Sequence, residues 1–281
     1  MSSKCFAIVA TVQPFDIDSR LIVELCEQND YLNGLIVVVN YPHKIIHPKE
    51  ITSLSGVDII ILHVRDYRGS AGAYRLGITE AEKAGAGIVL LFDDDCLIDA
   101  HACRALYDAS HLHAIVSGNR NDVREGWVQT GRFFVMHRTK RMHNMLCGWA
   151  GLGINLNKVP EWNRWLQQLE ATFWFYWDDY TFVSWAIQAG LSVMGVTEAI
   201  FHSPNHPRKT RKSWRSYYES RNGVWFAKMT MTGWERRKFI VLWFVEYVVG
   251  VGIRDKRLRQ TWKGFKDGLA GIQGRTITPL K

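Results

Sequence analysis

An apolar run, Leu90-Leu91-Phe92, stops at three consecutive aspartates, Asp93-Asp94-Asp95. A run of this kind forms a strand with a buried body. The triplet must then sit where the strand leaves the sheet, because ionised carboxylates are not buried without partners. Several hard anionic oxygens therefore gather at one point on a sheet edge. Divalent cations such as Mn2+ and Mg2+ prefer such oxygens and commonly bridge them to phosphate. The plainer reading is a solvated acidic turn capping a helix that starts near Asp99.

The surrounding segments set the fold class. Cys5–Thr11, Leu35–Val39, Asp58–Leu62 and Ile88–Phe92 are short apolar runs, the pattern of parallel strands covered on both faces. Helical segments alternate with them. Ile17–Gln28 places Ile17, Leu21, Leu25 and Gln28 on one face, and Ser70–Ala84 repeats Ala73, Leu76, Gly77, Ala81 and Ala84 at helical spacing. This order predicts an α/β domain, a mostly parallel sheet flanked by helices. Further along, Ala114–Ser117, Arg132–Met136 and Leu191–Val196 predict strands. Pro160–Glu170 and Asp179–Ala189 predict helices, the second stopped by Gly190.

The charge is divided unevenly. Residues 1–205 carry 17 Lys/Arg against 22 Asp/Glu, whereas residues 206–281 carry 18 against 5. We place a domain boundary near residue 205, with a basic helical extension, residues 206–281, that is rich in tryptophan (Trp214, Trp225, Trp234, Trp243, Trp262). So basic a tail calls for an anionic partner. Within it, Phe239–Ile253 is apolar apart from Glu246. As a helix it spans about 22 Å, short of the roughly twenty apolar residues a bilayer core requires. Basic flanks (Arg236-Arg237-Lys238, then Arg254, Lys256, Arg257 and Arg259) predict a helix lying in an anionic membrane interface, the alternative being a helix packed on the rest of the protein. Five cysteines without a Cys-x-x-Cys pair, and an N-terminus without an apolar signal core, predict a reduced, cytoplasmic protein.

Three further motifs carry chemistry. Arg68-Gly69-Ser70-Ala71-Gly72 opens the Ser70–Ala84 helix, and small residues at a helix start let backbone N–H groups approach an anion. In a parallel sheet this turn and the triplet emerge on the same side. Phe173-Trp174-Phe175-Tyr176-Trp177 ends in Asp178-Asp179. One acid is a natural N-cap, but aromatic faces beside carboxylates also suit sugar rings and their hydroxyls, and a carboxylate there can act as a general base. Finally, His202 in Phe201-His202-Ser203-Pro204-Asn205-His206 is a suitable ligand for Mn2+.

The ordered set of small-residue turn, aspartate triplet, Trp-Asp-Asp helix start and late histidine resembles the family 2 inverting glycosyltransferases of GT-A fold. Within them it is most similar to bacterial galactofuranosyl- and rhamnosyl-transferases that build cell-surface polysaccharide such as O-antigen. The resemblance covers nearly the whole chain, including Tyr217-Tyr218-Glu219-Ser220-Arg221-Asn222 and Asp267-Gly268-Leu269-Ala270-Gly271. It implies a GT-A, Rossmann-like catalytic domain over residues 1–205. It implies that Asp93, Asp95 and His202 hold Mn2+ or Mg2+, and that Asp94 and the turn Arg68, Gly69, Ser70, Ala71, Gly72 meet the donor nucleotide. Asp179 would be the general base. Asp178, Trp177 and Trp149 would line the sugar subsites, and Tyr218 and Arg221 would touch the diphosphate. Tyr67 stands where relatives often carry asparagine. The implied partners are a nucleotide-diphosphate sugar, a lipid-linked or oligosaccharide acceptor and an anionic membrane surface, at the inner face of the bacterial plasma membrane.

Two other classes compete. A metal-dependent phospho- or nucleotidyl-transferase also uses clustered aspartates, but the aromatic run and the lack of a Walker-type lysine loop argue against it. The basic tail suggests a nucleic-acid-binding module, which the acidic first two-thirds disfavours.

Overall fold

The computed structural model describes residues 4–28, 30–40, 49–120, 148–202, 213–245 and 258–277. The chain divides into two compact units. One comprises Met1–Arg68, Ala73–Arg164 and Ala186–Asn205, the other Gly69–Gly72, Trp165–Trp185 and His206–Lys281.

The first unit is built on a sheet. Its strands are β1 (Lys4–Thr11), β2 (Gly34–Val39), β3 (Lys49–Leu54), β4 (Val57–His63), β5 (Ala86–Asp93), β6 (Leu97–Ile98), β7 (Ile115–Arg120), β8 (Leu152–Asn155) and β9 (Val193–His202). They form nine strands in the order β3-β4-β2-β1-β5-β8-β7-β9-β6. The block β4-β2-β1-β5 is parallel throughout, as is the pair β7–β9. β3, β6 and β8 join antiparallel.

The apolar runs are continuous because both faces of the parallel block are buried. Cys5, Ala7 and Val9, Leu35, Val37 and Val39, and Ile88, Leu90 and Phe92 share one core cluster. Helix α1 (Arg20–Glu27) adds Leu21, Ile22, Leu25 and Cys26 to it, and α3 (Ala102–Leu112) adds Ala102, Cys103 and Leu106. The alternate positions Phe6, Ile8, Ile36, Val38, Val89 and Leu91 are buried as well. Helix α2 (Gly69–Lys83) links β4 to β5 and contributes buried Ala73, Tyr74, Ile78 and Ala81.

The second unit is helical. It holds most of α4 (Trp162–Thr172) and α5 (Asp178–Gln188), together with α6 (Ser213–Thr230), α7 (Gly233–Trp243) and α8 (Leu258–Leu269). Aromatic rings form its core. Trp177 packs on Phe226, Phe239 and Trp243, and Trp165 meets Phe182 edge-on at 5.7 Å. The predicted apolar helix is therefore two-faced where it is described. Phe239 and Trp243 are buried, while Val241 and Val245 face outward. Residues 246–253 of that segment, the predicted Arg132–Met136 strand and Cys147 lie outside the described residues. Among the described residues no helix is long and apolar enough to cross a membrane.

The end of β9 is fixed by close packing. The Phe201 ring lies over Gly118 of β7, where a Cβ would stand 2.1 Å from Phe201 Cε2 and 2.7 Å from the Ala199 carbonyl. It also meets Phe92, with ring centroids 6.1 Å apart. The residues immediately before Asp93 and His202 are thus packed against each other. Gly118→Ala should force this ring away and destabilise the protein by about 1–3 kcal/mol, the usual cost of overpacking. A urea-melt midpoint equal to that of the wild type would contradict this account of the strand end.

Candidate active site

Within the sheet unit, candidate residues gather at the C-terminal edge of the parallel block. Registers align Ala10 with Asp93, and Thr11 with Val39, so β1, β2 and β5 end at one level. The polar residues that end these strands form a rim. Asn40 donates its N–H to the Thr11 carbonyl at 2.7 Å, and its side-chain oxygen accepts the Arg68 N–H at 3.0 Å. Arg68 is thereby tied to the end of β2.

Each of the first two aspartates has its own donor. The buried Tyr74 hydroxyl lies 2.7 Å from Asp93 Oδ1 and 2.9 Å from the Phe92 carbonyl, its proton shared between them. Thr11 Oγ1 donates to Asp94 Oδ2 at 2.5 Å. Asp93 to Cys96 form a tight turn closed by the Cys96 N–H on the Asp93 carbonyl, at 3.1 Å. Shielding of the Asp94 carboxyl from solvent raises its pKa above the ordinary value. The charge of Asp95 pushes the same way, while the Thr11 hydrogen bond opposes them.

His202 comes to the same turn by backbone pairing. It lies opposite Leu97 in the β6–β9 ladder, and Leu97 follows Asp95 by two residues. Its imidazole Nε2 lies 3.0 Å from Asp99 Oδ1. Among the described residues no group of three or more His, Cys, Asp or Glu side chains is arranged to hold a metal ion. The donors nevertheless suit a hard or borderline divalent cation in kind: carboxylates on Asp93 and Asp95, with an imidazole on the neighbouring strand. For His202 to join them it must exchange Asp99 for the cation.

The other expected residues lie in the helical unit, apart from Trp149, whose buried ring packs on Tyr74 at 5.1 Å in the sheet unit. Gly69 has φ +73°, and a Cβ there would meet the Trp174 carbonyl oxygen at 1.8 Å. Only glycine fits this contact between the small-residue turn and the aromatic loop. Ser70 Oγ donates to Asp178 Oδ2. Asp178 is buried, whereas Asp179 is part-exposed and accepts the Tyr180 N–H at 2.8 Å. Both acids occupy the first turn of α5, at the positive end of the helix dipole. Ala71 is buried.

The aromatic loop carries an unusual backbone. Trp174, Tyr176 and Trp177 all have positive φ, at 63°, 63° and 72°. Such bulky residues adopt this conformation only when held. Arg221 and Asn222 hold them. Asn222 Nδ2 donates to the carbonyls of Phe173, Phe175 and Tyr176. Arg221 Nη2 donates to the Phe173 carbonyl at 2.8 Å, and Nη1 to the Gly274 carbonyl at 2.5 Å.

Four further expected residues are enclosed. Arg221, fully buried, directs its guanidinium at backbone carbonyls. The Tyr218 hydroxyl accepts the N–H groups of Thr276 and Ile277 at 2.9 and 2.8 Å, and the residue is also enclosed. Trp177 and Trp149, expected at sugar subsites, are core residues at 4% exposure each. Trp177 also anchors its indole N–H on the Glu219 carbonyl at 3.1 Å. In each case a large, partly apolar side chain stabilises more by filling a core than by facing water. Thr11, Asn40 and Tyr74 were not singled out from sequence. The first two are polar residues ending apolar strands at the ligand-binding edge, which is the signal that marks them.

No family model and no curated protein matches the chain. Solved structures do. S. aureus TarS (residues 1–349) in complex with UDP aligns at TM-score 0.55 and 12% identity, covering 96% of this chain and 81% of that one. The same TarS fragment in complex with UDP-GlcNAc aligns at TM-score 0.56 and 12% identity, with the same coverage of 96% and 81%. The mannosyltransferase PcManGT from Pyrobaculum calidifontis, in complex with GDP-Man and Mn2+, aligns at TM-score 0.50 and 13% identity, covering 96% of this chain and 76% of its own. At such identities the likeness carries the fold, and the fold is the GT-A fold of glycosyltransferases.

The raised pKa of Asp94 has a measurable sign. Its ionised form is disfavoured in the folded protein, so Asp94→Asn should stabilise the protein at neutral pH. The gain should vanish near about pH 3, where the carboxyl is protonated whether folded or not. Thermal midpoints of the two proteins across this range check it. A variant less stable at neutral pH would refute the assignment.

Proposed function

We propose that the protein transfers a sugar from a nucleoside-diphosphate sugar to a hydroxyl group of an acceptor glycan, with inversion at the anomeric carbon. The observation that carries this reading is the acidic rim, Asp93 to Asp95, at the C-terminal edge of β5 within a GT-A fold, with His202 paired opposite Leu97. The nucleotide ligands of the aligned structures support a nucleoside-diphosphate donor, and the Mn2+ of one supports a divalent metal.

In this account Asp93 and Asp95, joined by His202, would hold Mn2+ or Mg2+. The cation, when bound, neutralises the diphosphate and makes it a better leaving group. Asp94 and the Arg68–Gly72 turn meet the nucleotide. Asp179 is the base. It accepts the proton of the acceptor hydroxyl while that oxygen forms a bond to the anomeric carbon. The bond from that carbon to the diphosphate oxygen breaks on the opposite face, and the nucleoside diphosphate leaves with the electron pair. A single displacement needs no enzyme nucleophile, unlike the two-carboxylate retaining route. Asp179 suits the role better than Asp178, because Asp178 is buried and bonded to Ser70.

The sequence resemblance narrows the donor to UDP-galactofuranose, dTDP-rhamnose or a UDP-hexose. It makes the acceptor a growing, lipid-linked surface glycan at the cytoplasmic face of a bacterial membrane. Incubating the protein with a panel of UDP-, dTDP- and GDP-sugars and a lipid-linked acceptor should release nucleoside diphosphate with formation of an inverted glycoside. Asp179→Asn should lower transfer by about 10²-fold or more, the usual contribution of a general base, while donor binding persists. Undiminished transfer by Asp179→Asn would remove this residue from the base role. Transfer of phosphate or nucleotide instead of sugar would overturn the reading itself.

A further inference from the structure

We propose that the outward faces of α7 and α8 form a docking surface for an anionic lipid bilayer. This inference is independent of the transferase reading. It starts from helical spacing. Trp234, Lys238 and Val241 recur on one side of α7, and Val245 continues that side just past its end. Trp234 is 74% exposed and Val241 60%, while Phe239 and Trp243 on the other side are buried. The inward side accounts for the helix's packing; the outward apolar residues have no part in it.

Helix α8 repeats the pattern. Leu258, Trp262 and Leu269 are exposed along one stripe, which also contains buried Phe265, and Gly264 and Gly268 are buried beside it. Phe244 joins the two helices, its ring 5.7 Å from that of Trp262 and 5.1 Å from that of Phe265. The C-terminal end of α7 therefore lies beside Trp262 of α8. Exposed apolar side chains grouped on one helix face, rather than scattered singly, mark a binding surface.

Its rim selects the partner. Arg237 flanks the α7 stripe and Lys238 lies within it, and Arg259 and Lys266 flank that of α8, with Lys266 Nζ 5.7 Å from the Trp262 ring centroid. The one acid of α8, Asp267, is engaged by the Tyr217 hydroxyl at 2.7 Å and by Lys263 Nζ at 3.7 Å. Glu235, in the first turn of α7, is the remaining acid of the pair of helices.

A bilayer surface satisfies both parts. Tryptophan and aliphatic side chains enter at headgroup depth, and arginine and lysine meet anionic headgroups. A second copy of the chain would bring identical cationic rims together. A nucleic acid would leave Val241, Val245, Leu258 and Leu269 without partners, because single-strand sites pair basic grooves with aromatic platforms. The surface differs from the sequence expectation, a single apolar helix over Phe239–Ile253. It begins earlier, at Trp234, and a second helix shares it.

Co-sedimentation of the full-length protein with vesicles tests this directly. The protein should pellet with phosphatidylcholine vesicles that contain phosphatidylglycerol, and far less with phosphatidylcholine alone. Tryptophan emission should shift to the blue on binding. Trp234→Glu combined with Val241→Glu should weaken vesicle binding by about tenfold or more, as removal of inserted apolar surface demands, with an unchanged far-ultraviolet circular dichroism spectrum. Arg237→Glu combined with Lys238→Glu should remove the preference for phosphatidylglycerol. Absence of vesicle binding, or binding indifferent to both double variants, would overturn the proposal. So would self-association or oligonucleotide binding that Trp234→Glu abolishes while vesicles are ignored.

Discussion

Desolvation of the Asp94 carboxylate at the end of β5, with the charge of Asp95 added to it, is the constraint on which the rest of this structure depends. Shielding a carboxylate from water disfavours its ionised form, and a neighbouring like charge adds to that cost. The body of β5 supplies the opposing force, with Ile88 to Phe92 fully buried and paired to β1 on one side and β8 on the other. The strand has no freedom to swing its acidic end away from the rim. Thr11 and Tyr74 relieve part of the cost with hydrogen bonds, and the raised pKa of Asp94, set first by burial and then by the charge of Asp95, reports the part that remains. A rim held in this condition favours a cation.

The helical unit confronts a different cost. Three aromatic residues in the left-handed region cost on the order of 1–3 kcal/mol each. The donors of Arg221 and Asn222 offset this by capturing the carbonyls that the distorted loop presents. A buried guanidinium bonded to carbonyls is among the stronger hydrogen-bonding groups available to a core. The loop leads straight into α5, and its conformation decides what the next two residues do. Asp178 is drawn inward to Ser70, and Asp179 remains part-exposed. Two neighbouring aspartates thus occupy two environments, the arrangement that lets carboxylates take separate roles.

The parallel block was legible in the sequence, because strands buried on both faces leave continuous apolar runs. β3 and β8 were not. Lys49–Leu54 is an exposed edge strand whose charged and hydroxyl residues read as loop, and Leu152–Asn155 is too short to show periodicity. The triplet and the acid pair were legible as motifs, since charge at the end of an apolar or aromatic run is visible in one dimension. Side-chain destinations were not. Trp177, Tyr218 and Arg221 read as ligand contacts because their chemistry suits sugars and phosphates, yet the same chemistry suits a core of rings and captured carbonyls. His202 illustrates the middle case. The strand that delivers it was expected to end at Val196, but β9 runs on to His202 itself, and the pairing with β6 then places it beside Asp99.

The central claim is that the end of β5 is a divalent-cation site. Electron paramagnetic resonance of aqueous Mn2+ tests it without reference to turnover, because the sharp signal of the free ion is lost when the ion binds a protein. Titrating Mn2+ with the protein and UDP should deplete the free signal, and the Asp93→Asn, Asp95→Asn double variant should leave it near its protein-free intensity. Equal depletion by that variant, or none by the wild type, would contradict the account.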